Sequence, residues 1–192
     1  MIRKIGTFCI GLGAALVLAA LSLFLWNQQE ARAADASAAD ALAAVTARIA
    51  TGETAAPDPL AGMAEAEIDG YAYIGYLTLP TEELELPVMS SWSDEQLRIA
   101  PCRYAGSTGT DDLVLAGHNY TRHFGPIENL APGDPVLFTG MDGVTIAYEV
   151  AEVDTLAATA VEEMTDSGFD LTLFTCNYSG QARVTVRCNR AR

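Results

Sequence analysis

Histidine is nearly absent from this chain: its 192 residues include only His118 and His123. Cysteine is almost as scarce, at Cys9, Cys102, Cys176 and Cys188, and no Cys-x-x-Cys occurs. So few nitrogen and sulfur ligands argue against a structural zinc site, which takes four. Cys9 lies in an apolar run, and the three that remain are an odd number for an outward-facing domain, so at least one thiol stays unpaired. Positive charge is also short. Beyond Arg3 and Lys4 there are 9 basic side chains against 25 acidic ones, a net of −16. That balance repels phosphate backbones and excludes nucleic acid as a partner. It suits a domain kept soluble outside the cell. The acidic pairs Glu82-Glu83 and Glu162-Glu163 read as solvated surface rather than a calcium site, so no metal and no cofactor is expected.

What the chain does have begins at its N-terminus. Ile5 to Trp26 is a run of 22 residues without charge, long enough to cross a hydrocarbon core of ~30 Å as a helix. Arg3 and Lys4 precede it. The positive-inside bias therefore predicts a single-pass membrane protein with a cytoplasmic N-terminus and everything after Trp26 outside. A cleaved signal peptide is the competing reading, since Ala31-Arg32-Ala33 resembles a cleavage site. The run exceeds the ~7–15 residues of a signal core, which favours an uncleaved anchor over 1–26. Residues 27–67 are Ala-rich and read as a spacer, partly helical or disordered, closed by Gly52 and Pro57-Asp58-Pro59.

From Ile68 the texture changes, and 68–192 is expected to be one domain. Short β-prone runs alternate with turn signals: Tyr71–Leu79, Leu84–Met89, Asp112–Ala116, Val136–Thr139, Val144–Val153, Asp170–Thr175 and Ala182–Cys188. This spacing predicts an all-β antiparallel sandwich or barrel. Ser93–Ile99 is the one short helix expected, capped by Ser93 or Asp94.

Two strand exits carry reactive side chains. One strand ends at Gly117 and His118 follows; another ends with Cys176 at its rim. Alone, Cys176 reads as a buried structural thiol and His118 as a turn histidine. Together, with Arg183 opening the next strand, they form a nucleophile, a base and a cation at the ends of rigid elements. Arg187 is the rival arginine, on the same strand face as Arg183 by alternation. Arg183 is preferred because it stands nearer the Cys176 loop. His123 is the rival histidine, in an apparent loop before Phe124-Gly125-Pro126, and is expected at the surface or near the substrate. Cys188 is expected in the core. Cys102 is either a core thiol or bridged to Cys188.

Thr172-Leu173-Phe174-Thr175-Cys176, followed seven residues later by Arg183, resembles the sortase signature TLxTC and its downstream arginine. Gly117-His118-Asn119 matches the family's histidine segment, and Tyr73 to Pro80 with Leu86-Pro87-Val88 is similar to its opening strands. The resemblance covers Ile68 to Arg190. It implies a closed β-barrel of about eight strands with short helices, and a cysteine transpeptidase. Cys176 would be the nucleophile, His118 its acid/base partner and Arg183 the oxyanion stabiliser. The implied partners are secreted proteins bearing a C-terminal sorting signal of the LPxTG or NPxTN kind, and an amine acceptor from a peptidoglycan precursor or other source. Pilus-building members commonly carry a lid and a C-terminal membrane segment. Neither is read here, so wall anchoring is the expectation. Two alternatives stand beside it: a cysteine hydrolase that passes the acyl group to water, and a non-catalytic surface adhesin or scaffold.

Overall fold

The computed structural model describes residues 2–52 and 62–191, with side chains of the first helix from residue 10 onward. The Pro57-Asp58-Pro59 breaker lies outside the described residues. The chain divides into two units, 1–34 and 35–192.

Helix α1, Ile2–Thr51, is continuous through the anchor and most of the expected spacer. In the first unit Leu16, Leu18, Phe24 and Trp26 stand exposed on different sides of the helix. A helix apolar all round is one that suits hydrocarbon rather than water. It is long and apolar enough to cross a membrane. In the second unit, Ala41, Val45 and Ile49 recur at helical spacing and pack on Tyr73, Met89, Ala100, Cys102 and Met141. Val45 is wholly buried there, so this part of the spacer is a docked helix.

Among the described residues nine strands follow: β1 Ala66–Ile68, β2 Tyr71–Leu79, β3 Leu84–Met89, β4 Cys102–Ala105, β5 Leu113–Gly117, β6 Pro135–Gly140, β7 Thr145–Ala157, β8 Leu171–Cys176 and β9 Ala182–Arg190. Two short helices interrupt them, α2 Asp94–Leu97 and α3 Val161–Thr165. Ser93 caps α2, its Oγ accepting from the Gln96 N–H at 3.1 Å. Pairing runs β1-β2-β3-β4-β5-β8-β9-β7-β6, and β6 returns to β2. Eight strands, β2 to β9, thus close a barrel, and β1 is an added hairpin arm. The sheet is mixed rather than wholly antiparallel, because β3–β4 and β5–β8 run parallel. The second of these needs a long crossover, and β6, β7 and α3 supply it.

Leu77, Leu86, Leu115, Phe138, Leu173 and Val186 belong to the apolar set that fills the barrel. Three elements carried too weak a pattern to be expected: β1, β4 and α3 are 3, 4 and 5 residues long. The closing seam is tight. At Gly75 φ is +147°, and a Cβ there would lie 2.0 Å from the Thr139 carbonyl oxygen of β6. Gly75→Ala should therefore cost about 3 kcal/mol or more, from backbone strain plus a split seam. The check is a lowered urea midpoint; an unchanged midpoint would mean that the seam yields freely.

Candidate active site

The site begins with strand direction. β5 and β8 are parallel neighbours, so their C-terminal ends reach the same rim of the barrel. Gly117 is paired with Thr175, and the Thr175 hydroxyl donates to the Gly117 carbonyl at 2.8 Å. His118 and Cys176 are the next residues on each side. Alternation decides where they point. Leu113, Leu115, Leu171 and Leu173 face the core, whereas Val114, Ala116 and Phe174 join an outer apolar cluster with Leu156 and Met164. Cys176 shares the outer parity of Phe174, and His118 that of Ala116.

β9 supplies the cation. Cys176 is the direct antiparallel partner of Arg183, and side chains so paired stand ~4.5–5.5 Å apart at Cβ. Asn177 holds the intervening turn: its N–H donates to the Ala182 carbonyl at 2.9 Å, and its Oδ1 accepts from the Ala182 N–H at 3.1 Å. Arg183 Nη1 donates to the Gly180 and Ala182 carbonyls, each at 3.2 Å. Those bonds anchor one arm of the guanidinium. Among the described residues Nε and Nη2 keep their donors unspent.

The rival arginine is committed elsewhere. Arg187 lies opposite Thr172, four residues and ~13 Å along the strand from Arg183. It donates to Glu152 at 2.8 Å and to the Glu163 carbonyl at 3.2 Å, with its guanidinium over the Phe169 ring. It ties β9 to β7, α3 and the segment before β8.

The thiols separate just as clearly. Cys102 and Cys188 are both buried and free, so no bridge joins them. Cys188 lies in the barrel core and Cys102 in the cluster beneath α1, on opposite faces of the sheet. Burial pushes both up to about 12, which keeps them protonated and inert at neutral pH. Cys176 is partly exposed. It also borders a rim cavity of about 210 Å³.

Residues 77–191, more than half of the chain, match the family model of the Sortase domain. The chain belongs to the sortase family. It is similar to sortase A of Bacillus anthracis, with 32% identity over 126 residues, covering 62% of this chain and 59% of that protein. It therefore spans about three fifths of that relative's length. Among solved structures, sortase C1 of Streptococcus suis superposes with a TM-score of 0.54 at 28% identity, covering 62% of this chain and 73% of that one. A lid mutant of sortase A from Corynebacterium diphtheriae shares the fold, with a TM-score of 0.58 at 22% identity, covering 80% and 92%. The family is one of cysteine transpeptidases.

In this sortase, His123, expected at the surface or near the substrate, turns out to be wholly buried. His123 is 0% exposed, because it folds back beneath His118. Its Nδ1 accepts from the His118 backbone N–H at 3.1 Å. The loop is closed further by the Phe124 N–H donating to the His118 carbonyl at 2.9 Å, and by the His123 and Gly125 N–H groups donating to the Tyr120 carbonyl, each at 3.0 Å. Gly117 is required by the same packing, since a Cβ there would lie 2.6 Å from the Phe124 ring. An acceptor at Nδ1 fixes the proton on Nε2, which meets no partner of good geometry; the Ile99 carbonyl offers only a weak contact. Sequence alone gave no sign of this fold-back, because a histidine among Thr, Arg, Phe and Gly reads as loop.

Burial, and next the neighbouring His118, lower the His123 pKa from 6.5 to about 3. The unfolded chain therefore binds a proton near pH 6.5 that the folded chain refuses until about pH 3. This contribution to stability is complete above pH 6.5 and is lost as pH falls through that window, by up to ~1.4 kcal/mol per unit. Between pH 7 and pH 5 the loss should be on the order of 2 kcal/mol. His123→Asn keeps an acceptor for the His118 N–H and should remove that part of the slope. Denaturant titrations at the two pH values test this, and equal losses in the two proteins would contradict it.

Proposed function

We propose that this sortase cleaves a C-terminal sorting signal of secreted proteins, of the LPxTG or NPxTN kind, and transfers the acyl group to a cell-wall amine. The observation that carries the reading is the pairing of Cys176 with Arg183 directly beside the Gly117–Thr175 pair that leads into His118. In this reading His118 accepts the thiol proton, and the Cys176 sulfur attacks the threonine carbonyl carbon. The C–N bond breaks, and His118 returns the proton to the departing amine. The unspent donors of Arg183 face the oxyanion that develops between these steps. An amine then attacks the thioester and regenerates the thiol. Residues 68–192 form the catalytic domain. Residues 1–26 anchor it, with the N-terminus cytoplasmic and the barrel outside the cell, where the acceptor amines of the wall are found.

The test uses the full chain in detergent with a panel of LPxTG- and NPxTN-type peptides and an amine. The expected result is a thioester on Cys176 and an amine-dependent product, both abolished by Cys176→Ala. Cleavage indifferent to added amine would point to a hydrolase instead, and no thioester with any peptide would sink the reading. Arg183→Ala should lower kcat/KM by about 10²–10³, as loss of an oxyanion donor does. Arg183→Lys should recover little of it, because a point charge replaces a planar fork of donors. Iodoacetamide should label Cys176 in the native chain, but Cys102 and Cys188 only after unfolding; equal native labelling of all three would contradict the burial described above.

A further inference from the structure

The loop after β5 brings three rings together, of which only His118 enters the reaction above. His118 and Tyr120 have ring centroids 5.0 Å apart, with their planes inclined by 33°. The His123 centroid lies 6.2 Å from that of Tyr120, at 66°, and 6.4 Å from that of His118. Tyr120 is fixed through its backbone, because its carbonyl accepts from the N–H groups of both His123 and Gly125. His118 is fixed through its own, by His123 Nδ1 and the Phe124 N–H. With both backbones locked, the two rings have few ways to part.

We propose that Tyr120 is a positioning residue of this site, its ring backing the His118 imidazole and favouring that side chain as the cation. This rests on the transpeptidase reading above, in which His118 accepts the Cys176 proton and later returns it. An aromatic ring within about 6 Å of a cation attracts it, and more strongly as water is excluded. A neutral imidazole gains far less. The stack therefore assists the step in which His118 takes its proton. His123 works in the same direction. Two imidazoles this close do not both take a proton cheaply. Burial keeps His123 neutral, so the proton is left to His118, which is only partly buried. The other titratable groups at this rim are Cys176 on β8 and Arg183 on β9. Arg122 of the same loop and Glu128 of the turn after it are exposed to water.

The test reads His118 directly by nuclear magnetic resonance. The chain has only two histidines, so labelled imidazole carbons give two signals, and His123→Asn tells them apart. The sample is the full chain in detergent with Cys176→Ala, where that thiol no longer titrates beside the ring. Tyr120→Leu keeps an apolar side chain without an aromatic face, and should lower the His118 midpoint by about half a unit. Tyr120→Phe keeps the face and should hold the midpoint near that of the parent. His123 gauges the loop: buried, its signal stays flat from about pH 8 to about pH 5, whereas a loosened loop would let it titrate near its ordinary value. Should Leu loosen the loop, a ring-fluorinated phenylalanine at position 120, compared with Tyr120→Phe, repeats the contrast at nearly constant shape. The weaker face should give the same downward shift. With the thiol restored, Tyr120→Leu should lower kcat about threefold with KM unchanged, and Tyr120→Phe should recover most of it. A midpoint unmoved by Leu and by the fluorinated ring overturns the role of Tyr120. A loss as large in Tyr120→Phe overturns it too, since the hydroxyl and not the ring would then be responsible. These titrations need no turnover, so their failure is distinct from absence of a thioester in the wild type, which overturns the transpeptidase reading.

Discussion

Parallel pairing of β5 with β8 is the constraint on which the site depends. Two parallel strands present their C-terminal ends at one rim, so the residue after Gly117 and the residue after Thr175 become neighbours although 58 positions separate them in sequence. An antiparallel pairing would send the two to opposite ends of the barrel. The antiparallel hairpin of β8 with β9 then adds Arg183 across from Cys176 at no further topological cost. Three side chains from three segments thus gather through backbone ladders, before any of them makes a side-chain contact with another.

The rest of the fold keeps that rim rigid. Barrel closure through the β2–β6 seam leaves eight strands without free edges, apart from the arm at β1. The loop after β5 is locked by hydrogen bonds through His118, Tyr120 and the buried His123, so the backbone at His118 has little room to move. Arg187, which the sequence places on the same face as Arg183, holds β9 to β7 and α3 instead. On this strand Arg187 is held by a carboxylate within its reach, whereas Arg183 is tied to carbonyls of its own turn.

Burial divides the thiols in the same way. Cys102 and Cys188 have identical chemistry to Cys176 but sit in apolar clusters, where a thiolate would be poorly solvated. Cys176, at the terminus of β8, is both held by the sheet and partly exposed. The strongly acidic composition acts at longer range and favours cationic partners over anionic ones.

Much of this was legible in the sequence. The 22-residue uncharged run marked the membrane-length helix, and seven of the nine strands stood out as β-prone runs. The Thr172–Cys176 segment and Gly117-His118 stood out because polar reactive residues follow directly on apolar strands. Other features depended on contacts between distant segments: the parallel direction of β5 and β8, the short strand β4, the docking of Val45, the burial of His123 and the separation of Cys102 from Cys188. Periodicity reports which way a side chain alternates and how long an element runs. It carries no information on which strand lies beside which, so the sequence determined the elements and their reactive ends, and the tertiary pairing alone decided that those ends meet.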